Sequence, residues 1–515
     1  MLWTAGILYF SAVLFFIWED KTMSLINISN LTFAYEDSYD NIFENVSFNI
    51  DTNWKLGFIG RNGRGKTTLL NLLLGKYEYS GSINASVTFE CFPFDVADTS
   101  IDTIDVVNEI TNFCPEWQIV RELSLLDVED DVLYRPFETL SKGEQGKVML
   151  ATLFLKENSF LLIDEPTNHL DIKGREIVSK YLNKKRGFIL VSHDRDFLDG
   201  CVDHILSINR ADIEVQKGNF SSWLINKERQ DNYELAENEK LNKEVKILKK
   251  GAKKAADWSE KAEKSKFGTK NSGSSIDRGY VGHKAAKMMK RSKNVENRLQ
   301  SSLEKKSKLL KNIENSDNLK ILPLVYHKSC LLQLENVSIY YGEKCICKNI
   351  SFDVERGERV ALCGKNGCGK SSILKLIKGD NIKYTGNFSK GSQLVISYVS
   401  QDTSHLKGNL SDYIKSHNID ESLFKAILRK MDFSREQFDK DMENFSGGQK
   451  KKILIAESLC ERAHIYIWDE PLNFIDVISR MQMENLIFEF KPTVLFVEHD
   501  KAFCDNVATK KVLLH

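Results

Sequence analysis

Gly60-Arg61-Asn62-Gly63-Arg64-Gly65-Lys66-Thr67 decides how this chain folds, because the pattern is met twice. Gly364-Lys365-Asn366-Gly367-Cys368-Gly369-Lys370-Ser371 repeats it in the same spacing. Each copy follows an apolar run, Leu56-Gly57-Phe58-Ile59 or Val360-Ala361-Leu362-Cys363, and precedes a helical one, Leu69 to Leu74 or Ile373 to Ile377. That strand–turn–helix context is what the GxxxxGK[ST] pattern needs. Its glycines let backbone N–H groups wrap a phosphate at a helix N-terminus. Lys66 and Lys370 then neutralise β/γ oxygens, and Thr67 and Ser371 ligate Mg²⁺. The expected phosphate-contacting set is Gly60, Asn62, Gly63, Gly65, Lys66, Thr67 and Thr68, with Gly364, Asn366, Gly367, Gly369, Lys370, Ser371 and Ser372 in the second copy. One such match arises by chance; two in register do not.

Working outward, the whole neighbourhood is duplicated. Leu31 to Tyr35 followed by Asn45-Val46-Ser47-Phe48 returns as Val337 to Tyr341 followed by Asn349-Ile350-Ser351-Phe352. A unit of this length is a repeated domain rather than a solenoid turn. Two further apolar runs end in paired acids, Asp164-Glu165 and Asp469-Glu470, each followed by proline. The first acid of each pair is expected to hold Mg²⁺, and Glu165 or Glu470 to act as general base on the attacking water.

Between the copies the composition changes. From Leu241 to Lys311 there are 21 Lys/Arg against 7 Asp/Glu and no proline, although the chain as a whole balances 72 basic against 72 acidic residues. Leu241, Val245, Leu248, Ala252 and Ala255 form a helical stripe, and Val295, Leu299, Leu303, Leu310 and Ile313 another. Two long amphipathic helices paired antiparallel are expected, joined by a Gly/Ser-rich loop from Phe267 to Gly282. The excess of one charge sign, with Phe267 and Tyr280 at the tip, favours nucleic-acid contact over a mere spacer. The ten cysteines show no metal or disulfide pattern and are expected to be free thiols. Residues Leu2 to Trp18 are almost wholly apolar, but no basic residue precedes them. Met23 is the expected start, with a membrane anchor as the alternative. The expected division is 1–22 extension, 23–220 first nucleotide-binding domain, 221–325 linker with a tip at 267–282, and 326–515 second nucleotide-binding domain.

Leu140-Ser141-Lys142-Gly143-Glu144-Gln145 and Phe445-Ser446-Gly447-Gly448-Gln449 each precede an acidic strand and open a helix. Both resemble the ABC signature LSGGQ, and the fold class this implies is α/β: two ABC-type P-loop domains joined by a long antiparallel α-helical hairpin. In that family Ser141, Gly143 and Gln145, or Ser446, Gly448 and Gln449, would meet ATP held by the opposite domain. His193 and His499 match the switch histidine. Tyr35 and Tyr341 match the adenine-stacking aromatic, and Gln401 the magnesium-linked glutamine. The resemblance implies two head-to-tail sites: Lys66, Thr67, Asp164, Glu165 and His193 with Ser446 and Gly448, and Lys370, Ser371, Gln401, Asp469, Glu470 and His499 with Ser141 and Gly143. One departure stands out. Phe94 takes the place of the first glutamine, so the first site is expected to be slower.

Two fused domains, a basic linker and no dedicated membrane domain resemble the ABC-F family. The start Met23-Ser24-Leu25-Ile26-Asn27, the LSKGEQ form of the signature and the long tip resemble its Lsa-type antibiotic-resistance group. That implies a cytoplasmic, Mg²⁺-dependent ATPase, monomeric with its two halves paired. It would bind the 70S ribosome, contacting tRNA and 23S rRNA near the peptidyl-transferase centre. It would displace lincosamides, streptogramin A or pleuromutilins. A housekeeping ABC-F translation factor and the ATPase subunit of a drug exporter are the alternatives.

Overall fold

The computed structural model describes residues 24–35, 41–168, 170–208, 213–264, 319–365 and 367–514, with scattered positions between 283 and 301. The apolar N-terminus, Asn366, the tip 267–282 and the return stripe at Leu299, Leu303, Leu310 and Ile313 lie outside the described residues.

The first copy contributes strands β1 (Leu25–Phe33), β2 (Phe43–Asp51), β3 (Lys55–Ile59), β4 (Ser80–Asn84), β5 (Thr88–Phe92), β6 (Ser159–Asp164), β7 (Phe188–Val191), β8 (His204–Ile208) and β9 (Ile213–Lys217). They form an antiparallel sheet ordered β2-β1-β4 and a larger sheet ordered β5-β6-β7-β3-β8-β9, parallel except at β9. The second copy contributes β10 (Cys330–Tyr341), β11 (Lys344–Glu355), β12 (Arg359–Cys363), β13 (Lys383–Lys390), β14 (Ile396–Val399), β15 (Ile465–Asp469), β16 (Val494–Val497) and β17 (Lys510–Leu513). Their orders, β11-β10-β13 and β14-β15-β16-β12-β17, repeat the first plan without the last strand.

The central strands β6, β7, β15 and β16 are continuous apolar runs because the parallel sheet is covered on both faces. In each copy the helix after the glycine loop packs its leucines and isoleucines between the two sheets. The duplication reaches single backbone angles. Asn30 and Asn336 are left-handed at φ 53° and 51°, and each donates its N–H at 2.8 Å to a serine hydroxyl, Ser47 or Ser351.

The two copies form one compact unit, and Ser222–Asn315 belongs to a second. The first unit resumes at Ser316, earlier than the boundary of 326 expected from composition. Leu319 and Ile321 are buried in the core of the second copy, and Leu324 N–H reaches the Ala463 carbonyl at 2.8 Å. These alternating apolar residues are therefore domain and not linker. Helix Phe220–Lys264 runs 45 residues, about 67 Å at 1.5 Å per residue. Along it Val245 is buried and Leu241 and Leu248 are half-buried, as the stripe requires, while Lys243, Lys246, Lys249, Lys250, Lys253 and Lys254 are exposed.

Candidate functional site

Each glycine loop leaves a central strand and enters a helix, Lys66–Leu73 or Lys370–Lys378. Gly65 and Gly369 sit just before it at φ 94° and 95°. A Cβ at Gly65 would stand 2.7 Å from Ile42, and one at Gly369 3.0 Å from Ile346, so backbone angle and space both demand glycine. Lys66 Nζ donates to the Gly60 carbonyl at 2.6 Å and to Asn62 Oδ1 at 3.3 Å. Lys370 Nζ donates to the Gly364 and Lys365 carbonyls at 2.9 Å. Burial lowers the Lys66 pKa, with Asp476, Glu165 and Asp164 acting against it.

Ser371 Oγ donates to Asp469 Oδ1 at 3.0 Å. A hydroxyl beside a carboxylate is an all-oxygen donor pair, which suits Mg²⁺. Thr67 occupies the matching place in the first copy and is exposed, with Asp164 at the end of β6. Burial raises the pKa of both aspartates.

Glu165 and Glu470 share a left-handed backbone, φ 49° and 48°, rare for a residue with a side chain. Their surroundings differ. Glu470 Oε2 accepts from Gln401 Nε2 at 2.9 Å and Asn473 Nδ2 at 2.6 Å, and its Oε1 lies 3.5 Å from His499 Nε2. Burial alone would raise this carboxyl, but the bonds from His499 and Gln401 outweigh it and hold the pKa below its ordinary value. Glu165 Oε1 is 3.6 Å from His193 Nε2 and is buried without a hydrogen-bond partner. Burial and the neighbouring Asp164 charge push Glu165 up to about 8. Burial, with the Lys66 and Arg480 charges, holds His193 well below the usual histidine range. Strand register accounts for the difference. Phe92 pairs with Ile163 and Val399 with Trp468, each partner one residue before its aspartate. Two residues on, Phe94 stands where Gln401 does.

The copies meet head to tail. Asn62 Nδ2 donates to the Phe474 carbonyl at 2.7 Å. A Cβ at Gly448 would lie 2.4 Å from that carbonyl oxygen and 2.9 Å from Asn62 Nδ2. The second signature thus abuts the first glycine loop. On the other side a cavity of about 760 Å³ is lined by Ser141 and Gly143 facing Lys370, Ser371, Ser372, Gln401, Glu470 and His499. Ser141 and Ser446 each cap their helix in a reciprocal box, with Glu144 and Gln449 as partners.

That capping geometry corrects one expectation. Glu144, not Gln145, is the counterpart of Gln449, because both sit three residues after the capping serine. Gln145 is buried and donates to the Phe137 carbonyl at 2.9 Å, so it faces its own domain. Gln449 spends its side-chain oxygen on the Ser446 N–H at 3.0 Å. Tyr35 reaches Thr68 Oγ1 at 2.9 Å and packs edge-on against Phe33 and Tyr77. Tyr341 is exposed, and among the described residues Ile346, not Tyr341, lines the cavity of the second site.

The ABC transporter family model matches residues 43–168 and 347–473, the stretches that carry both glycine loops and both acidic strands. The chain carries two ABC-type ATPase domains. It is 29% identical to the ATP-binding protein Uup of Buchnera aphidicola, over 95% of this chain and 80% of that protein. It is 28% identical to the ribosome protection protein VmlR of Bacillus subtilis, over 95% of this chain and 86% of that one. The chain of archaeal ribosome recycling factor aABCE1 solved with the ribosomal stalk protein aP1 shares the fold. Its TM-score is 0.60 at 17% identity, with 94% of this chain and 87% of that one covered. The ABC halves hydrolyse ATP with Mg²⁺ as cofactor, and the oxygen donors at Ser371 and Asp469 fit that ion.

Contacts between the ABC halves add residues that motif reading passed over. Arg64, inside the first loop, makes two 3.0 Å bonds to Asp432, whereas the second loop has Cys368 at that place. Arg195 pairs with Glu484, and Lys501 with Glu176 at 3.6 Å. Setting the two loops side by side would have singled out Arg64, since only one carries a charge there. Lys142, Lys147 and Arg175 join the lining of the second site. Lys142 stands where the other signature has Gly447.

Proposed function

We propose that this ATPase binds the ribosome in its ATP-closed form and displaces lincosamides, streptogramin A or pleuromutilins from the large subunit, as an ABC-F protein of the Lsa type. The observation that carries the reading is the pairing of two face-to-face ABC halves with a long helix whose exposed side, from Lys243 to Lys254, is dense in lysine. Such a helix suits a phosphate backbone, and its binding should weaken steeply with salt. The likeness to a protein named for ribosome protection supports the same reading. Among the described residues no helix is long and apolar enough to cross a membrane, so nothing there favours the exporter alternative.

In this reading Ser446 and Gly448 close on ATP held by Lys66 and Thr67, and Ser141 and Gly143 on ATP held by Lys370 and Ser371. Mg²⁺ at Asp164 and Asp469 would offset charge on the transferring phosphoryl group. Glu470, oriented by Gln401 and Asn473, accepts a proton from the attacking water. Hydrolysis removes the γ-phosphate that the signature serines share, and the halves part. The test is cell-free translation inhibited by lincomycin. Added protein with ATP should restore synthesis. Ribosome binding without restoration would favour a housekeeping factor and overturn the resistance reading.

A further inference from the structure

One lysine of the second half is buried where a charge is costly. Lys451 lies on helix Gly447–Cys460, five residues after the capping Ser446, and is 2% exposed. An ammonium taken out of water is unfavourable unless it is paired or well hydrogen-bonded. Its N–H groups go to two backbone carbonyls, Ser400 at 2.8 Å and Asp469 at 3.4 Å. Burial lowers its pKa, and the Glu498, Asp469, Glu470 and Asp402 charges act against that. An apolar side chain of similar volume would suit such a place as well or better, so packing does not explain the lysine.

The two carbonyls do explain it. Each is half of a peptide unit whose other half belongs to a residue of the second site. Ser400 precedes Gln401, and Asp469 precedes Glu470. Glu470 N–H donates to the Val497 carbonyl at 3.0 Å. The peptide unit between Asp469 and Glu470 is thus tied at both ends, by Val497 on β16 and by Lys451 on the helix. There the base takes its left-handed φ of 48°, a conformation that persists only where the surroundings fix it. Gln401, whose side chain reaches Glu470 at 2.9 Å, is tied to the same ammonium through Ser400. Lys451 also lines the cavity of the second site. In the first copy the fifth residue after Ser141 is Gly146. A Cβ there would meet the Phe92 ring at 3.9 Å, an ordinary contact, so space does not demand glycine. Glu165 N–H still donates to the Val191 carbonyl at 2.9 Å, but Gly146 has no side chain to reach the Asp164 carbonyl.

We propose that Lys451 is a positioning residue for ATP hydrolysis at the second site, and that it ties this site to closure of the first. Its helix begins at Ser446, which in the reading above closes on ATP held by Lys66. Five residues on, about 7.5 Å along the axis, the same helix holds the peptide units of Gln401 and Glu470. When Ser446 closes on the first site, the helix sets the glutamine and the base of the second. The tie runs one way, because Gly146 cannot return it. This rests on the reading that Glu470 is the base and that Ser446 serves the first site.

The test uses the full chain. Lys451→Met keeps an unbranched side chain and loses the donors. In phosphate release kcat should fall about tenfold or more, the scale of a lost hydrogen bond to a charged group, with KM for ATP and the urea midpoint unchanged. An unchanged kcat, or a fall accompanied by a raised KM or a lower urea midpoint, overturns the proposal. Glu470→Gln is measured beside it. If that variant keeps the parent rate, the reading of the base falls too; if it is silent and Lys451→Met is not, only the proposal falls. The tie is tested apart from turnover, by amide hydrogen exchange. Lys370→Ala confines ATP to the first site. Added ATP should then slow exchange in the segments around Gln401 and Glu470, because local opening becomes rarer, and Lys451→Met should remove that protection. Protection that survives Lys451→Met, or that never forms, overturns the tie.

Discussion

Replacing Glu470 by glutamine should cost nearly all ATP turnover, whereas replacing Glu165 should cost little. A positioned general base contributes about 10²–10⁴-fold, so either change silences its own site. The outcome then depends on how much each site does in the parent. Glu470 has donors from Gln401 at 2.9 Å and Asn473 at 2.6 Å, and His499 beside it. Glu165 Oε1 has no hydrogen-bond partner, and Phe94 cannot supply the missing donor. A hydrogen bond to a charged group contributes about 1.5–3 kcal/mol, roughly 10–100-fold in rate if it is needed to align the base. The second site should therefore carry about 90–99% of turnover on that tenfold-per-1.4 kcal/mol scale. Phosphate release by purified protein at saturating MgATP would then fall to about 1–10% for Glu470→Gln and stay near the parent rate for Glu165→Gln. Phe94→Gln added to Glu470→Gln should recover part of the loss. Equal residual rates for the two single variants, or a larger loss from Glu165→Gln, would refute the reasoning.

Gly448→Ala places a Cβ 2.4 Å from the Phe474 carbonyl; overpacking of about 1–3 kcal/mol should oppose closure of the first site, seen as a loss of ATP-driven approach between spin labels on the two halves. Arg64→Ala removes a partly buried pair with Asp432 worth about 0.5–1 kcal/mol, so closure should weaken a few-fold, and added salt should mimic this in the parent. Asp476→Ala leaves Lys452 buried without its 3.0 Å partner; a broken buried pair costs about 3–5 kcal/mol, and the urea midpoint of the protein should drop clearly.

The glycine loops, the acidic strand ends and the histidines were legible in the sequence because each is a short local pattern with a fixed structural context. The head-to-tail partnership came with the family resemblance, and Asn62 against Phe474 shows where the first glycine loop meets the second half. Gln145 misled because it is the first glutamine after Ser141, whereas the place three residues on from the serine, held by Gln449 in the second copy, is taken by Glu144 in the first. Arg64–Asp432 and the buried Lys452–Asp476 pair join residues distant along the chain, so no local window reveals them. Leu319 and Ile321 were assigned to the linker because the basic composition before them shades off gradually, whereas their burial in the core of the second copy is a tertiary fact that composition does not carry.

The most direct test of the central claim is sedimentation of the Glu165→Gln/Glu470→Gln protein with 70S ribosomes, with ATP and with ADP. Near-stoichiometric pelleting with ATP alone, lost at raised salt, is the expected result. A protein that stays in the supernatant with ATP, or pellets equally with ADP, contradicts the account.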